Sequence, residues 1–332
     1  MNRIAVVGAG AWGTALALVA RRAGHDVTLW AREPEVVSSI AQTRRNAMFL
    51  PQVELDPAIV ATLDLAQALH GAETILLVTP AQHTRAVASS LRGAMPKPAS
   101  VVICAKGIEQ GSGALMSEAV EAALPGVRWA VLSGPTFAVE VARGLPTAVT
   151  VAADDPALAD EIVATLGGAA FRPYASSDPI GAQIGGAVKN VIAIACGIVQ
   201  GRGMGDNARA ALITRGLAEM VRLGLAKGAA VETLMGLSGL GDLTLTCNGA
   251  QSRNLSLGIG LGQGKSLGEV LKGRNSVAEG VATAASVVAL AQRLQVDMPI
   301  VGAVHAILHQ GAEIDRTVAT LLSRPFKAET AR

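Results

Sequence analysis

Short apolar runs recur through the first half of the chain, each followed by a longer stretch in which apolar and polar positions mix. The runs fall at 4–7, 27–30, 74–78, 101–104, 130–132, 147–151 and 170–174. A short continuous apolar run between polar or glycine positions reads as a strand buried on both faces of a sheet. The intervening segments at about 14–23, 65–70, 82–91, 115–124 and 156–166 carry helical spacing. Gly24 closes the first of these helices and Asp64 caps the second. Alternating strands and helices predict a doubly wound parallel sheet.

After about Asp178 the rhythm changes and no strand pattern returns. Ile213, Leu217, Met220, Val221 and Leu225 fall on one helical face, with Arg215, Glu219 and Arg222 elsewhere. Further helices are expected at about 231–235, 266–271, 277–294, 300–309 and 317–322. The fold class is therefore α/β, with the sheet domain over 1–180 followed by an all-α C-terminal domain over 181–332.

One residue breaks the apolar pattern sharply. Lys189 stands in Gly185-Gly186-Ala187-Val188-Lys189-Asn190-Val191-Ile192-Ala193-Ile194, close to the domain junction where ligand clefts form. A lysine there either snorkels to solvent or is buried. Burial lowers an ammonium's pKa and makes it an acid–base group near neutrality.

The first strand runs into Gly8-Ala9-Gly10-Ala11-Trp12-Gly13 and a helix, then a second strand. In that context G-x-G-x-x-G is a dinucleotide fingerprint, and the sheet domain reads as Rossmann-type. Gly8 allows the tight turn, Gly10 lets backbone approach a pyrophosphate, and Gly13 lets helix and strand pack closely. The second strand ends Trp30-Ala31-Arg32-Glu33. Arg32 suits the 2′-phosphate of NADP, whereas Glu33 can serve the ribose of NAD, so NADP is preferred and NAD stays open.

Lys106 follows the 101–104 strand at a carboxyl end, where it can reach a phosphate or a carbonyl oxygen or be an ordinary loop lysine. Ser133-Gly134-Pro135-Thr136-Phe137-Ala138 is a small-residue loop able to approach a ligand closely, or simply a turn. In the second half, Asp242 lies in the glycine-rich run 238–243, read as a flexible loop. Gln251-Ser252-Arg253-Asn254 offers a set of groups for a phosphate, or a helix start at Ser252. Asn275 to Gly280 is a third polar patch. His305 and His309 have a metal-compatible spacing but no third ligand in view, so no metal site is expected.

Composition narrows the function. The 332 residues are 50% hydrophobic but 2% aromatic, so the core must come from small aliphatic side chains in close contact. A net charge of +2 and so few aromatics argue against a nucleic-acid partner. The apolar stretch 4–20 between basic residues mimics a signal peptide, but its glycines belong to the fingerprint. The run 191–199 is too short to span a bilayer, so no membrane span is expected. Cys104, Cys196 and Cys247 form no disulfide framework, which suits a cytoplasmic location.

Taken together, these motifs make the chain resemble the bacterial NAD(P)-dependent sn-glycerol-3-phosphate dehydrogenases nearly end to end. The likeness rests on segments 8–13, 133–138, 185–193, 239–243 and 251–254; Ala11 departs from it, standing where the family often has serine. The resemblance implies hydride transfer between glycerol 3-phosphate and dihydroxyacetone phosphate, a role in glycerophospholipid synthesis, a cytoplasmic location and a homodimer. It implies Lys189 as proton acceptor. Lys106, Gly134, Thr136, Lys189, Asp242, Ser252, Arg253 and Asn254 would line the substrate. Gly8, Gly10, Trp12, Gly13, Arg32, Lys106, Ala138, Arg253, Val277 and Glu279 would touch NADP or NAD. Two rivals remain at the level of sequence: a two-domain reductase of hydroxy acids or ketoacids, and a dinucleotide-sensing regulator without turnover.

Overall fold

The structure, a computed structural model, describes residues 2–272 and 278–325. The strands are β1 Arg3–Val7, β2 Asp26–Trp30, β3 Val60–Thr62, β4 Thr74–Leu77, β5 Ser100–Ile103, β6 Arg128–Ser133, β7 Thr147–Ala152 and β8 Phe171–Ser176, and the apolar runs form all of them but β3. Between them lie helices α1 Ala11–Arg22, α2 Pro34–Thr43, α3 Leu65–Leu69, α4 Thr84–Leu91, α5 Met116–Ala123, α6 Ala138–Ala142 and α7 Pro156–Leu166. The alternation of single residues explains why helices cover both faces of the sheet. Ile4 and Val6 point into a cluster with Leu16 and Leu29, while Ala5 and Val7 point into another with Leu69 and Leu91.

The sheet has eight strands in the order β3-β2-β1-β4-β5-β6-β7-β8. All neighbours are parallel except β6 and β7, which run antiparallel with Leu132 opposite Val151. The expected doubly wound parallel sheet is thus present, with one antiparallel pairing. Chain order reverses between β1 and β4, whose registers align Val7 with Leu77. That switch point opens a crevice at the carboxyl ends of the strands. The pattern of apolar runs missed α2, which has only Val36 and Ile40 buried, and β3, which is three residues long.

The rest is helical: α8 Pro179–Gly201, α9 Asp206–Lys227, α10 Val231–Leu234, α11 Asp242–Asn248, α12 Arg253–Gly262, α13 Leu267–Leu271, α14 Glu279–Arg293, α15 Pro299–His309 and α16 Ile314–Leu322. Helix α8 is the axis of this part, with 20 of its 23 residues buried, from Pro179 to Val199. It extends well beyond the 191–199 run, and its length and apolarity would let it cross a membrane. Its apolar window is wholly enclosed by the neighbouring helices. Pro179 at its first turn and the Asp178 carboxylate, which accepts from the Gly181 N–H at 2.8 Å, fix where it starts.

Helix α9 differs from its expected pattern. Leu225 is exposed, whereas Glu219, assigned to the polar side, is 1% exposed. Its carboxylate accepts from the N–H groups of Ile300 and Val301 at 2.7 and 3.1 Å, capping the uncapped first turn of α15. A sequence period reports faces; it does not report that a neighbouring helix end needs an acceptor.

Candidate active site

The site lies where the carboxyl ends of β5 and β6 meet α8 and α11. Its centre is one carboxylate shared by two lysines. Asp242, fully buried, accepts from Lys189 Nζ through Oδ1 and from Lys106 Nζ through Oδ2, the latter at 2.7 Å. Lys189 also donates to Thr246 Oγ1 at 3.0 Å, and Thr246 donates to Asp242 Oδ1 at 3.3 Å. Lys106 donates to the Gly134 carbonyl at 2.8 Å and to Thr136 Oγ1 at 3.4 Å. The predicted residues Lys106, Gly134, Thr136, Lys189 and Asp242 therefore form one connected cluster.

Local structure explains each position. The glycine-rich run before Asp242 is not a flexible loop. Leu237–Gly241 forms a π-helical turn that leads directly into α11, with Asp242 in the first helical turn. Glycine is required there because a Cβ on Gly239 would lie 1.9 Å from the Leu234 carbonyl oxygen. Gly186, one turn before Lys189, leaves room for the Lys106 stem and for Ser133, whose hydroxyl would be 3.0 Å from a Cβ at that place. Gly134 has φ +149°, and a side chain there would strike the Val149 backbone at 2.9 Å.

Lys189 is 5% exposed, so the snorkelling alternative fails. Burial lowers its pKa from the ordinary lysine value to about 7. Asp242 opposes that shift, and the charge on Lys106 reinforces it. Desolvation wins because the side chain is enclosed on all sides. Two ammonium hydrogens of Lys189 are engaged, and the third is uncommitted among the described residues.

The glycine fingerprint lies at the switch crevice. Gly8 has φ +117°, and a Cβ on it would meet the Val78 carbonyl oxygen at 2.7 Å. A Cβ on Gly13 would fall 1.8 Å from the Gly8 carbonyl oxygen, whereas one on Gly10 would meet nothing within 4 Å. Gly10 is also the N-cap of α1, a helix start with no side-chain cap and no acidic residue in its first turn. An open approach onto uncapped helical N–H groups fits a pyrophosphate. The buried Trp12 indole N–H, without a hydrogen-bond partner among the described residues, adds a donor at the same end of α1. Arg32 stands exposed at the end of β2, with its guanidinium on Glu33 Oε1 at 2.8 and 3.1 Å. Ala138 opens α6, and Glu279 opens α14 with Oε1 accepting from the Ala81 N–H at 3.3 Å. Burial raises the Glu279 pKa, against the Ala81 N–H and Arg253. Val277, Asn275 and Ser276 lie outside the described residues.

The set 251–254 divides. Gln251 donates to Glu140 at 2.7 Å, and Ser252 caps α12 by accepting from the Leu255 N–H at 3.1 Å. Asn254 donates to Asn190 Oδ1 at 2.8 Å and accepts from the Gly280 N–H at 3.1 Å. Asn254 thus ties α8, α12 and α14 together. Arg253 opens α12 with an exposed side chain; surrounding protein still lowers its pKa, with Glu279 opposing. Thr246 and Asn190 escaped the sequence reading. Thr246 lies one helical turn after Asp242, a spacing that places both on one face of α11 and was the available signal.

The chain matches the model of the NAD-dependent glycerol-3-phosphate dehydrogenase N-terminus over residues 3–159 and that of the C-terminus over 178–319. It is similar to the glycerol-3-phosphate dehydrogenase [NAD(P)+] of Rhodospirillum rubrum, 60% identical over 329 residues, 99% of this chain and 94% of the relative. The enzyme of the same name from Parvibaculum lavamentivorans is 57% identical over 99% of this chain and 98% of its own. Among solved structures, glycerol-3-phosphate dehydrogenase from Coxiella burnetii superposes with a TM-score of 0.94 at 40% identity, covering 97% of this chain and 99% of that one.

Proposed function

Since this chain belongs to the NAD-dependent glycerol-3-phosphate dehydrogenase family, we propose that it interconverts sn-glycerol 3-phosphate and dihydroxyacetone phosphate with NADP or NAD. The reading includes a preference for NADP, carried by Arg32, a role in glycerophospholipid synthesis, a cytoplasmic location and a homodimer. It takes 1–180 as the dinucleotide-binding domain and 181–332 as the substrate-binding domain. The observation that carries it is the shared carboxylate: a buried lysine with a pKa near neutrality, held by Asp242 beside a second cation.

Hydride chemistry is what the nicotinamide brings when bound. The protein handles the proton and the charge. In ketone reduction Lys189 gives its uncommitted proton to the C2 oxygen, and in alcohol oxidation its neutral amine takes one back. Asp242 and Thr246 aim the Nζ atom. Lys106, with hydrogens on Gly134, Thr136 and Asp242, adds a fixed positive charge near the developing alkoxide. Arg253, with the N-terminus of α12, anchors the substrate phosphate and so holds C2 in register.

The test follows NADPH oxidation with dihydroxyacetone phosphate against unphosphorylated dihydroxyacetone, then repeats it with NADH. Rapid oxidation with the ester alone, faster from NADPH at low concentration, is the expected result. Comparable rates with a ketoacid would favour the rival reductase. Cofactor binding with no turnover on any of these substrates would favour the regulator.

A further inference from the structure

A residue outside the glycine fingerprint and outside the lysine cluster holds the fingerprint in shape. Asn46 follows α2, whose C-cap, Arg44, turns the chain with φ 54°. It is fully buried. Its amide nitrogen donates to the Ala9 carbonyl at 2.8 Å and to Thr14 Oγ1 at 2.8 Å. Its amide oxygen accepts from the Phe49 N–H at 3.1 Å, and its backbone carbonyl accepts from the Leu50 N–H at 2.9 Å. Both polar groups of the side chain are therefore engaged, and one of its three hydrogen bonds is on the glycine loop.

The bond to Ala9 has a directional consequence. In a trans peptide the carbonyl and the following N–H point in opposite directions. Drawing the Ala9 carbonyl onto Asn46 turns the Gly10 N–H away from Asn46, at a residue where an added Cβ would meet nothing within 4 Å. Thr14, in the first turns of α1, shares the same amide and also lies 3.5 Å from the Ala9 carbonyl through its hydroxyl. The loop and the helix start are thereby clamped together from behind. Without Asn46 the Ala9–Gly10 peptide keeps only the long Thr14 contact at 3.5 Å, and Gly10 on one side of it offers little resistance to rotation.

We propose that Asn46 is a positioning residue for the dinucleotide, acting through the Ala9 carbonyl to orient the Gly10 N–H for the cofactor's pyrophosphate. This rests on the reading of residues 8–13 as the cofactor's seat. The substrate cluster is built from other elements and, among the described residues, has no bond to Asn46, so the two functions separate.

The experiment measures the dissociation constant for NADPH by its fluorescence on binding to the full-length chain, alongside steady-state kinetics and melting curves. The variants are Asn46→Ala, which removes the clamp, and Asn46→Asp, which keeps the oxygen for Phe49 but replaces the donor facing Ala9 with an acceptor. Both are expected to weaken NADPH binding at least tenfold. The KM for dihydroxyacetone phosphate and kcat, taken at saturating NADPH, should stay within threefold of wild type. A dissociation constant within threefold of wild type in a folded variant would overturn the proposal, as would equal losses in the constants for cofactor and substrate. If neither Asn46 variant folds, Thr14→Val carries the test: weakening of NADPH binding twofold or more supports the clamp, and unchanged binding overturns it. A wild-type chain that fails to bind NADPH would bring down the cofactor-seat reading, and this proposal with it.

Discussion

Lys189 was visible in the sequence because it interrupts an apolar helix, and its chemistry follows from burial. What the sequence withheld was the balance between burial and Asp242, whose charge pulls the other way. Enclosure settles it: an ammonium with 5% exposure loses most of its hydration, and one shared carboxylate does not restore it. The ammonium is the acid in ketone reduction, so kcat/KM for reduction should fall as pH rises through about 7, and the oxidative rate should rise over the same range. Lys189→Ala should lower kcat by about two to four orders of magnitude and abolish that limb of both profiles. Lys189→Arg should also fail, because a guanidinium stays charged and cannot take the proton back. A Lys189→Ala enzyme with near-normal turnover would remove the lysine from the mechanism. Asn46 and Glu219 lie beyond this kind of legibility. An asparagine in a loop and a glutamate on an apparently polar face look ordinary until the partners they hold far away in sequence, Ala9 and Ile300, are known.

At the scale of elements, the glycines of α8 and α12 decide how the substrate side is assembled. A Cβ on Gly197 would meet the Leu255 carbonyl oxygen at 2.2 Å, and one on Gly258 would meet that of Ile194 at 2.1 Å. One turn on, Gly201 and Gly262 face each other in the same way, at 2.4 Å from the Ile259 and Ile198 carbonyl oxygens. The two helices therefore cross backbone against backbone, the close packing that a chain with 2% aromatics was expected to need. Gly258→Ala gains about 1 kcal/mol in helix propensity. The added methyl must displace backbone, and overpacking costs about 1–3 kcal/mol or more. The expected net result is a lower melting temperature. Because Ser252, Arg253 and Asn254 lie at the start of α12, a raised KM for dihydroxyacetone phosphate should accompany it. An unchanged or higher melting temperature would show that the crossing relaxes freely. The spacing Gly197-x-x-x-Gly201 and Gly258-x-x-x-Gly262 can be read in the sequence; which stripe faces which cannot.

Across the whole molecule, the alternation of apolar runs and helical segments carried the doubly wound sheet and the helical second half. It did not carry strand direction, since β7 has the same composition whether it runs with β6 or against it. Nor did it carry Glu219, which joins α9 to α15 and makes global stability depend on pH. Burial raises the Glu219 pKa from its ordinary value of 4.5 to about 7, against the pull of the Ile300 and Val301 N–H groups and of Arg222, with Asp297 adding to the rise. The folded chain therefore binds a proton that the unfolded chain has released between pH 4.5 and about 7. Stability from this group is greatest below that window and is lost as pH rises through it. The two backbone donors need an acceptor in either protonation state, which is why the acid is tolerated at a buried position. Glu219→Gln replaces one acceptor oxygen with a donor, so the variant should melt lower than wild type at acid pH. It carries no titrating group at position 219, so its melting temperature should lack the dependence that Glu219 gives wild type between pH 5 and pH 7.5. Parallel melting curves for the two proteins across that range would show that Glu219 does not couple to folding. Converging curves, with wild type losing its advantage as pH rises, are the expected result.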